Sequence, residues 1–277
     1  MSGVKLIATD MDGTFLGKGG ILLEENCKAL QRAQAAGYHI AFASGRMPFV
    51  LSQLALEAGL DQCYIISNNG AQGLDRPFGK TLYMHPLAQP LYEQCIEILH
   101  RHRCFFTLNT DKGVYTCIPR TPENESWYNR AYGSGGTRLV FCDRPETYAV
   151  DEHPLKLLVY SNNGLDDYLH AAEEIKALPG LSLTLGSRNS MEIMDLNADK
   201  SLGVKALADS LGIDLSEVMA FGDNGNDAAM LRICGHSVAM ANAAESARAA
   251  AVHHTLSNTE LGVAHIVNQL LDGTFPL

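Results

Sequence analysis

The stretch Val4-Lys5-Leu6-Ile7-Ala8-Thr9-Asp10-Met11-Asp12-Gly13-Thr14 decides how the rest of the chain reads. Val4–Thr9 is a short, mostly apolar run of the kind that forms a buried strand, and it ends in Asp10. In a parallel sheet, ligands bind beyond the carboxyl ends of the strands. Asp10 and Asp12 stand there, two residues apart, and both reach one site if the chain curls. Gly13 permits that curl and a close approach of backbone N–H groups to an anion. Asp and Gly are also common in turns and helix caps, so the pentapeptide Asp10–Thr14 needs support from elsewhere in the chain.

The support comes from three places. Gly222-Asp223-Asn224-Gly225-Asn226-Asp227 follows the apolar run Val218–Phe221 and sets Asp223 and Asp227 past another strand end. Ser44-Gly45-Arg46 closes the strand signal that starts at His39. A hydroxyl and free N–H groups at a helix start can hold a phosphate. Lys200 opens a helical stretch and matters if the fold brings it to the carboxylates. Four carboxylates at one point repel, at ~4 Å by about 4 kcal/mol per pair for an effective dielectric of 20. Such a cluster needs a cation. The motifs offer hard oxygen ligands and no Cys or His, which favours Mg2+.

Around these points the first 70 residues alternate strand and helix signals: helix Glu24–Ala36, strand His39–Ser44, helix Phe49–Ala58, strand Tyr64–Ser67, then the turn Asn68-Asn69-Gly70. Short apolar strands alternating with helices predict a parallel sheet covered on both faces. From Lys200 the same texture returns, with helix Lys200–Leu211, strand Val218–Phe221, helix Asp227–Ile233 and a last helix Glu260–Leu271. The middle is richer in aromatics and prolines. Its helix signals are Leu87–His102 and Leu165–Leu178, and its strand signals are Phe105–Asn109, Leu155–Tyr160, Leu181–Leu185 and Met191–Met194. The predicted fold class is α/β: a Rossmann-like, doubly wound parallel-sheet core over residues 1–82 and 191–277, with an inserted α/β cap domain over 83–190.

Composition agrees with a globular chain that can bury its own core. Of 277 residues, 46% are hydrophobic and 19% charged. The net charge of −10 disfavours a nucleic-acid or anionic-membrane partner, although a local pocket can still be positive. No apolar stretch approaches the ~18 residues of a membrane span, and the N-terminal run is too short for a signal peptide. Seven scattered cysteines with no CxxC pair read as reduced core thiols in a cytoplasmic protein. Gly133-Ser134-Gly135-Gly136 lacks the spacing of a hydrolase nucleophile elbow.

In this order, the motifs resemble those of the haloacid dehalogenase superfamily of phosphohydrolases, closest to its Cof-type branch (type IIB), which carries a large α/β cap. The resemblance spans essentially the whole chain, including Asn68-Asn69-Gly70-Ala71 and Met230-Leu231. It implies that Asp10 is the nucleophile, forming an aspartyl-phosphate, and that Asp12 is the general acid and then the base. It implies that Ser44, Gly45, Lys200 and Asn226 hold the phosphoryl group. Mg2+ would sit on the Asp10 carboxylate, the Asp12 main-chain carbonyl and Asp223, with Asp227 orienting its water shell. The run Asn197-Ala198-Asp199-Lys200-Ser201 lacks the glycines usual around that lysine, which leaves Lys205 open as an alternative. Arg46 and Asn69 are candidate substrate contacts.

The physics supports those roles. A carboxylate attacking a phosphate dianion meets like-charge repulsion, which Mg2+ and Lys200 offset. The expected activity is a Mg2+-dependent phosphatase acting on phosphomonoesters of small metabolites, such as sugar phosphates or phosphorylated cofactor precursors. The alternatives are a phosphomutase of the same superfamily and a catalytically silent ligand-binding module. The presence of both Asp10 and Asp12 argues against the silent module.

Overall fold

The computed structural model describes residues 3–132, 138–161, 165–185 and 190–276. The Gly133–Gly136 run lies outside them. The chain divides into two compact units, one formed by Met1–Tyr83 with Asp199–Leu277, the other by Met84–Ala198.

The first unit is built on an eight-stranded sheet. In spatial order its strands are His253–His254, His236–Ala239, Val218–Gly222, Leu6–Thr9, His39–Ala43, Tyr64–Ser67, Gln72–Leu74 and Thr81–Met84. The first six run parallel, and Gln72–Leu74 turns back antiparallel. Starting from Leu6–Thr9, the chain steps outward through two parallel strands on one side. It later returns beside Leu6–Thr9 and steps outward through three on the other. That order defines a doubly wound sheet, and its switch point lies between Leu6–Thr9 and Val218–Gly222.

The burial explains the near-continuous apolar strands. Leu6, Ile7 and Ala8 are fully buried, as are Val218, Met219, Ala220 and Phe221. Strands covered on both faces have no solvent side to alternate toward. Helices Glu24–Ala35 and Gly262–Leu271 pack against each other, the former burying Cys27, Leu30 and Ala33 and the latter Val263, Ile266 and Val267.

The second unit has a six-stranded mixed sheet in the order Arg138–Phe141, Gly113–Thr116, Phe105–Thr110, Pro154–Tyr160, Ser190–Asp195, Leu181–Leu185. One face is apolar. There Phe106, Leu108, Leu157, Val159 and Ile193 meet Ile96 and Leu99 of helix Gln89–Arg101, together with Ala171 and Ile175 of helix Leu165–Lys176. The other face carries buried polar groups, including Thr107 and Thr116, whose hydroxyls lie 2.5 and 2.9 Å from the Tyr128 hydroxyl.

The strand over Met191–Met194 belongs to this second sheet, although residues 191–198 were expected in the core. It pairs antiparallel with Pro154–Tyr160 on one side and Leu181–Leu185 on the other, so the return to the first unit comes at Asp199. Composition does not change at that crossing, and only the pairing shows it.

Candidate active site

The parallel register aligns three strand ends. Thr9 stands opposite Phe221 on one side and Phe42 on the other. Adjacent strands lie about 4.8 Å apart. Asp10, Ser44 and Asp223, each just past its strand, therefore emerge side by side at the switch point.

Lys200 is fully buried and bridges two carboxylates. Its Nζ donates to Asp10 Oδ1 at 2.6 Å and to Asp227 Oδ1 at 2.6 Å. Helix Lys200–Leu211 aims the side chain there. Asp199 caps that helix by accepting the Ser201 N–H at 2.7 Å. Gly70 makes the approach possible: it has φ +98°, and a Cβ there would lie 2.2 Å from the Asp199 carbonyl oxygen. Lys205 pairs instead with Asp209 at the exposed surface, at 2.6 Å, so it takes no part in the cluster.

Asp227 is wholly buried. Its Oδ2 accepts the backbone N–H groups of Asp223 (3.0 Å) and Asn224 (2.9 Å), so one carboxylate both folds the loop and faces Lys200. Gly222 is required behind it, because a Cβ there would fall 2.5 Å from Asp227 Cβ. Asp223 accepts the Thr14 hydroxyl at 3.1 Å. Gly13, at φ +83°, lets the Asp10–Thr14 loop pass within reach of Asp223, since a Cβ on it would meet Asp223 Oδ2 at 2.3 Å.

One oxygen from each of Asp10, Asp223 and Asp227 lies within 4.8 Å of the others. Three carboxylates and one ammonium leave two negative charges uncompensated. Burial pushes the Asp10 carboxyl upward, Lys200 pulls it down, and Asp227 pushes it up again. Asp223 is raised by burial and then by Asp227, against the Thr14 hydrogen bond. Lys200 is desolvated too, yet Asp10 and Asp227 outweigh that and hold its ammonium above the ordinary lysine value. An all-oxygen donor set with excess negative charge fits a hard divalent cation such as Mg2+.

Asp12 points elsewhere. Both of its oxygens are taken by Arg46, with Nε to Oδ2 at 2.7 Å and Nη2 to Oδ1 at 2.6 Å. Its carboxylate is half exposed and stands outside the three-aspartate cluster. Ser44 is buried, and its Oγ accepts the Arg46 N–H at 3.3 Å. Asn69, at φ +53°, donates its backbone N–H to the Ser44 carbonyl at 2.9 Å. Its Oδ1 accepts from Asn226 Nδ2 at 3.1 Å and would stand 2.9 Å from a Cβ on Gly45. Ser44, Gly45, Asn69 and Asn226 thus form one connected group.

Three contacts were not read from the sequence: the Arg46–Asp12 fork, the Thr14 hydroxyl on Asp223, and Asn242. Asn242 Nδ2 donates to the Gly13 carbonyl at 2.8 Å and reaches Asp223 Oδ2 at 3.5 Å. Its signal was position, three residues past the end of the parallel strand His236–Ala239.

The fold and site together define a doubly wound α/β protein with a carboxylate-rich centre at the sheet's switch point. Residues 7–267 match the haloacid dehalogenase-like hydrolase family, and the chain belongs to it. A curated relative from Bacillus subtilis, the 5-amino-6-(5-phospho-D-ribitylamino)uracil phosphatase YwtE, is 28% identical over 98% of this chain and 100% of its own. A haloacid dehalogenase-like hydrolase structure from B. subtilis superposes with a TM-score of 0.81 at 26% identity, covering 96% of this chain and 100% of that one. A subclass IIB sugar phosphatase of the superfamily shares the fold, with a TM-score of 0.78 at 21% identity, over 98% and 100% of the two chains.

Proposed function

We propose that the chain is a Mg2+-dependent phosphatase, hydrolysing phosphomonoesters of small metabolites through an aspartyl-phosphate on Asp10. The observation that carries this reading is the buried Asp10–Lys200–Asp227 bridge beside Asp223. Asp10 stands at a strand's carboxyl end, 2.6 Å from a buried ammonium that counters burial without cancelling it, so its carboxyl lies raised to about 7 and is placed to act as a nucleophile in its ionised form.

An Asp10 carboxylate oxygen attacks phosphorus, and the bond from phosphorus to the ester oxygen breaks. Asp12 gives the leaving oxygen a proton. Water then attacks the phosphorus of the aspartyl-phosphate, its proton passes to Asp12, and Asp10 is released with inorganic phosphate. In the structure both oxygens of Asp12 accept from Arg46, so this fork has to open before Asp12 can carry the proton. Lys200, Ser44 and the Gly45 backbone are the donors assigned to the phosphoryl oxygens, with Asn226 fixed by Asn69. Asp10, the Asp12 carbonyl and Asp223 would hold Mg2+, with Asp227 behind them, and the ion would offset charge on the phosphoryl group.

The substrate class follows the relatives: YwtE is named for a phosphorylated ribitylaminouracil, and the fold neighbour for sugar phosphates. A cytoplasmic setting is consistent with seven free cysteines and with no helix among the described residues long and apolar enough to cross a membrane. The test is phosphate release from a panel of sugar phosphates and phosphorylated ribityl compounds, run with Mg2+, with EDTA and with Asp10→Asn. Release that survives both EDTA and Asp10→Asn would overturn the reading.

A further inference from the structure

We propose that Arg46 exchanges its fork on Asp12 for the phosphoryl oxygens of a bound phosphate ester, and that this exchange is what releases Asp12. This role for Arg46 rests on the reading of Asp10 as nucleophile and Asp12 as acid and base. Lys200 and Arg46 are held in different ways. Lys200 is fully buried and donates at 2.6 Å to both Asp10 and Asp227, which are buried themselves. Neither contact opens without stranding a carboxylate in the interior, a strongly destabilising loss. Arg46 is held by one carboxylate, and the pair is wetter: the Asp12 side chain is 57% exposed and that of Arg46 24%. Opening an exposed pair is easy, because water solvates both ions as they part. Arg46 is the cation that can leave its partner.

Its main chain is anchored among the groups assigned to the phosphoryl oxygens. The Arg46 N–H donates to Ser44 Oγ at 3.3 Å, and its carbonyl accepts the Asn68 N–H at 2.9 Å. Only the side chain has to swing. The fork on Asp12 uses Nε and Nη2, and Nη1 makes no hydrogen bond among the described residues. A guanidinium carries more N–H donors than a fork consumes. Nη1 can therefore meet a ligand oxygen before Nε and Nη2 let go. Gly20 stands beside Nη2, where a Cβ would lie 3.5 Å away, and offers the guanidinium no side-chain acceptor.

The ligand's charge drives the exchange. A phosphate monoester is a dianion, and its oxygens take an arginine fork as well as a carboxylate does. Asp12 and the ligand then compete for one guanidinium, so what the ligand gains Asp12 loses. Cleared of Nε and Nη2, the Asp12 carboxyl is free to turn to the leaving oxygen. Binding of the phosphoryl group and release of the acid become one event.

The test is calorimetric titration of inorganic phosphate into the full chain at saturating Mg2+, with a crystal structure of the same complex. Arg46→Gln should weaken phosphate by at least about tenfold, the loss of hydrogen bonds to a charged group. Arg46→Lys keeps the charge without the fork and should recover only part of that affinity. Asp12→Asn should tighten phosphate by about two- to fivefold, the strength of the exposed pair it removes. In the complex, Nε and Nη2 should lie on phosphate oxygens with Asp12 clear of them. A complex in which both still rest on Asp12 would overturn the proposal. So would an Asp12→Asn variant no tighter for phosphate than the wild type, or a wild type with no saturable phosphate binding. None of these readouts needs turnover. If the shifts appear while Asp10→Asn still hydrolyses esters, the aspartyl-phosphate reading fails and the exchange stands.

Discussion

Replacing Lys200 by methionine removes the ammonium and keeps most of the side chain's volume, so it isolates the charge. At 2.6 Å, each of the two contacts is worth about 6 kcal/mol of Coulomb attraction at an effective dielectric of 20. Burying the three charged groups costs several kcal/mol apiece, which offsets most of that gain. What survives is the cost of leaving two carboxylates buried without their cation, about 3–5 kcal/mol. Against a total stability of about 5–15 kcal/mol this is a large fraction. Urea unfolding in EDTA should therefore show Lys200→Met destabilised by about that amount, with phosphate release falling by two or more orders of magnitude. Mg2+ provides the sharper readout. The variant's cluster carries one more net negative charge, so the ion should bind it more tightly. Added Mg2+ should then raise the variant's unfolding midpoint more than the wild type's, by ligand linkage. A folded Lys200→Met within about 1 kcal/mol of wild type in EDTA, and no more responsive to Mg2+, would refute the argument that Lys200 neutralises Asp10 and Asp227.

Asp10→Asn should keep the fold and lose phosphate release by roughly four orders of magnitude, as expected when a covalent nucleophile is removed; a steady-state assay at saturating Mg2+ checks it. Gly13→Ala should cost about 1–3 kcal/mol of strain, from its φ of +83° and the 2.3 Å approach to Asp223. It should also raise the Mg2+ concentration giving half-maximal rate, read from a Mg2+ titration. The thiols should resist a disulfide reagent at pH 8 in the native protein, because burial pushes Cys95 up to about 12 and Cys142 up to about 11. All seven should react in urea, and rapid native labelling of Cys63, which has no exposed surface, would contradict the packing described.

The core and the residues gathered at its strand ends were legible because they share one signal: an apolar strand followed at once by acidic or hydroxyl residues and glycine. That signal placed Asp10, Ser44 and Asp223, and the register of three parallel strands brings them together. Lys200 was selected over Lys205 only by resemblance. Its burial depends on Gly70 admitting the helix start at Asp199, a contact between segments far apart in sequence. The Arg46 fork on Asp12 left no trace, since a bidentate pair across two loops has no periodicity. In the second unit Phe106 and Leu108 alternate with buried Thr107 and Asn109, and that strand was legible. Gly113–Thr116 was missed because it is four residues long, opens on a glycine and has only Val114 and Tyr115 as apolar residues. Helix Pro122–Tyr132 was missed because Tyr128 and Tyr132 are set among Asn, Glu and Ser.

The central strand of the first sheet also sets a timetable for biosynthesis. Leu6–Thr9 is made more than two hundred residues before its neighbour Val218–Gly222. At about 5–20 residues per second, the ribosome keeps that pairing edge waiting on the order of ten to forty seconds. The second unit faces no such delay, because Met84–Ala198 emerges as one uninterrupted stretch. The nascent chain thus passes through a stage with one finished body and one half-built apolar sheet. An exposed edge of that kind is what chaperones recognise and what aggregation exploits.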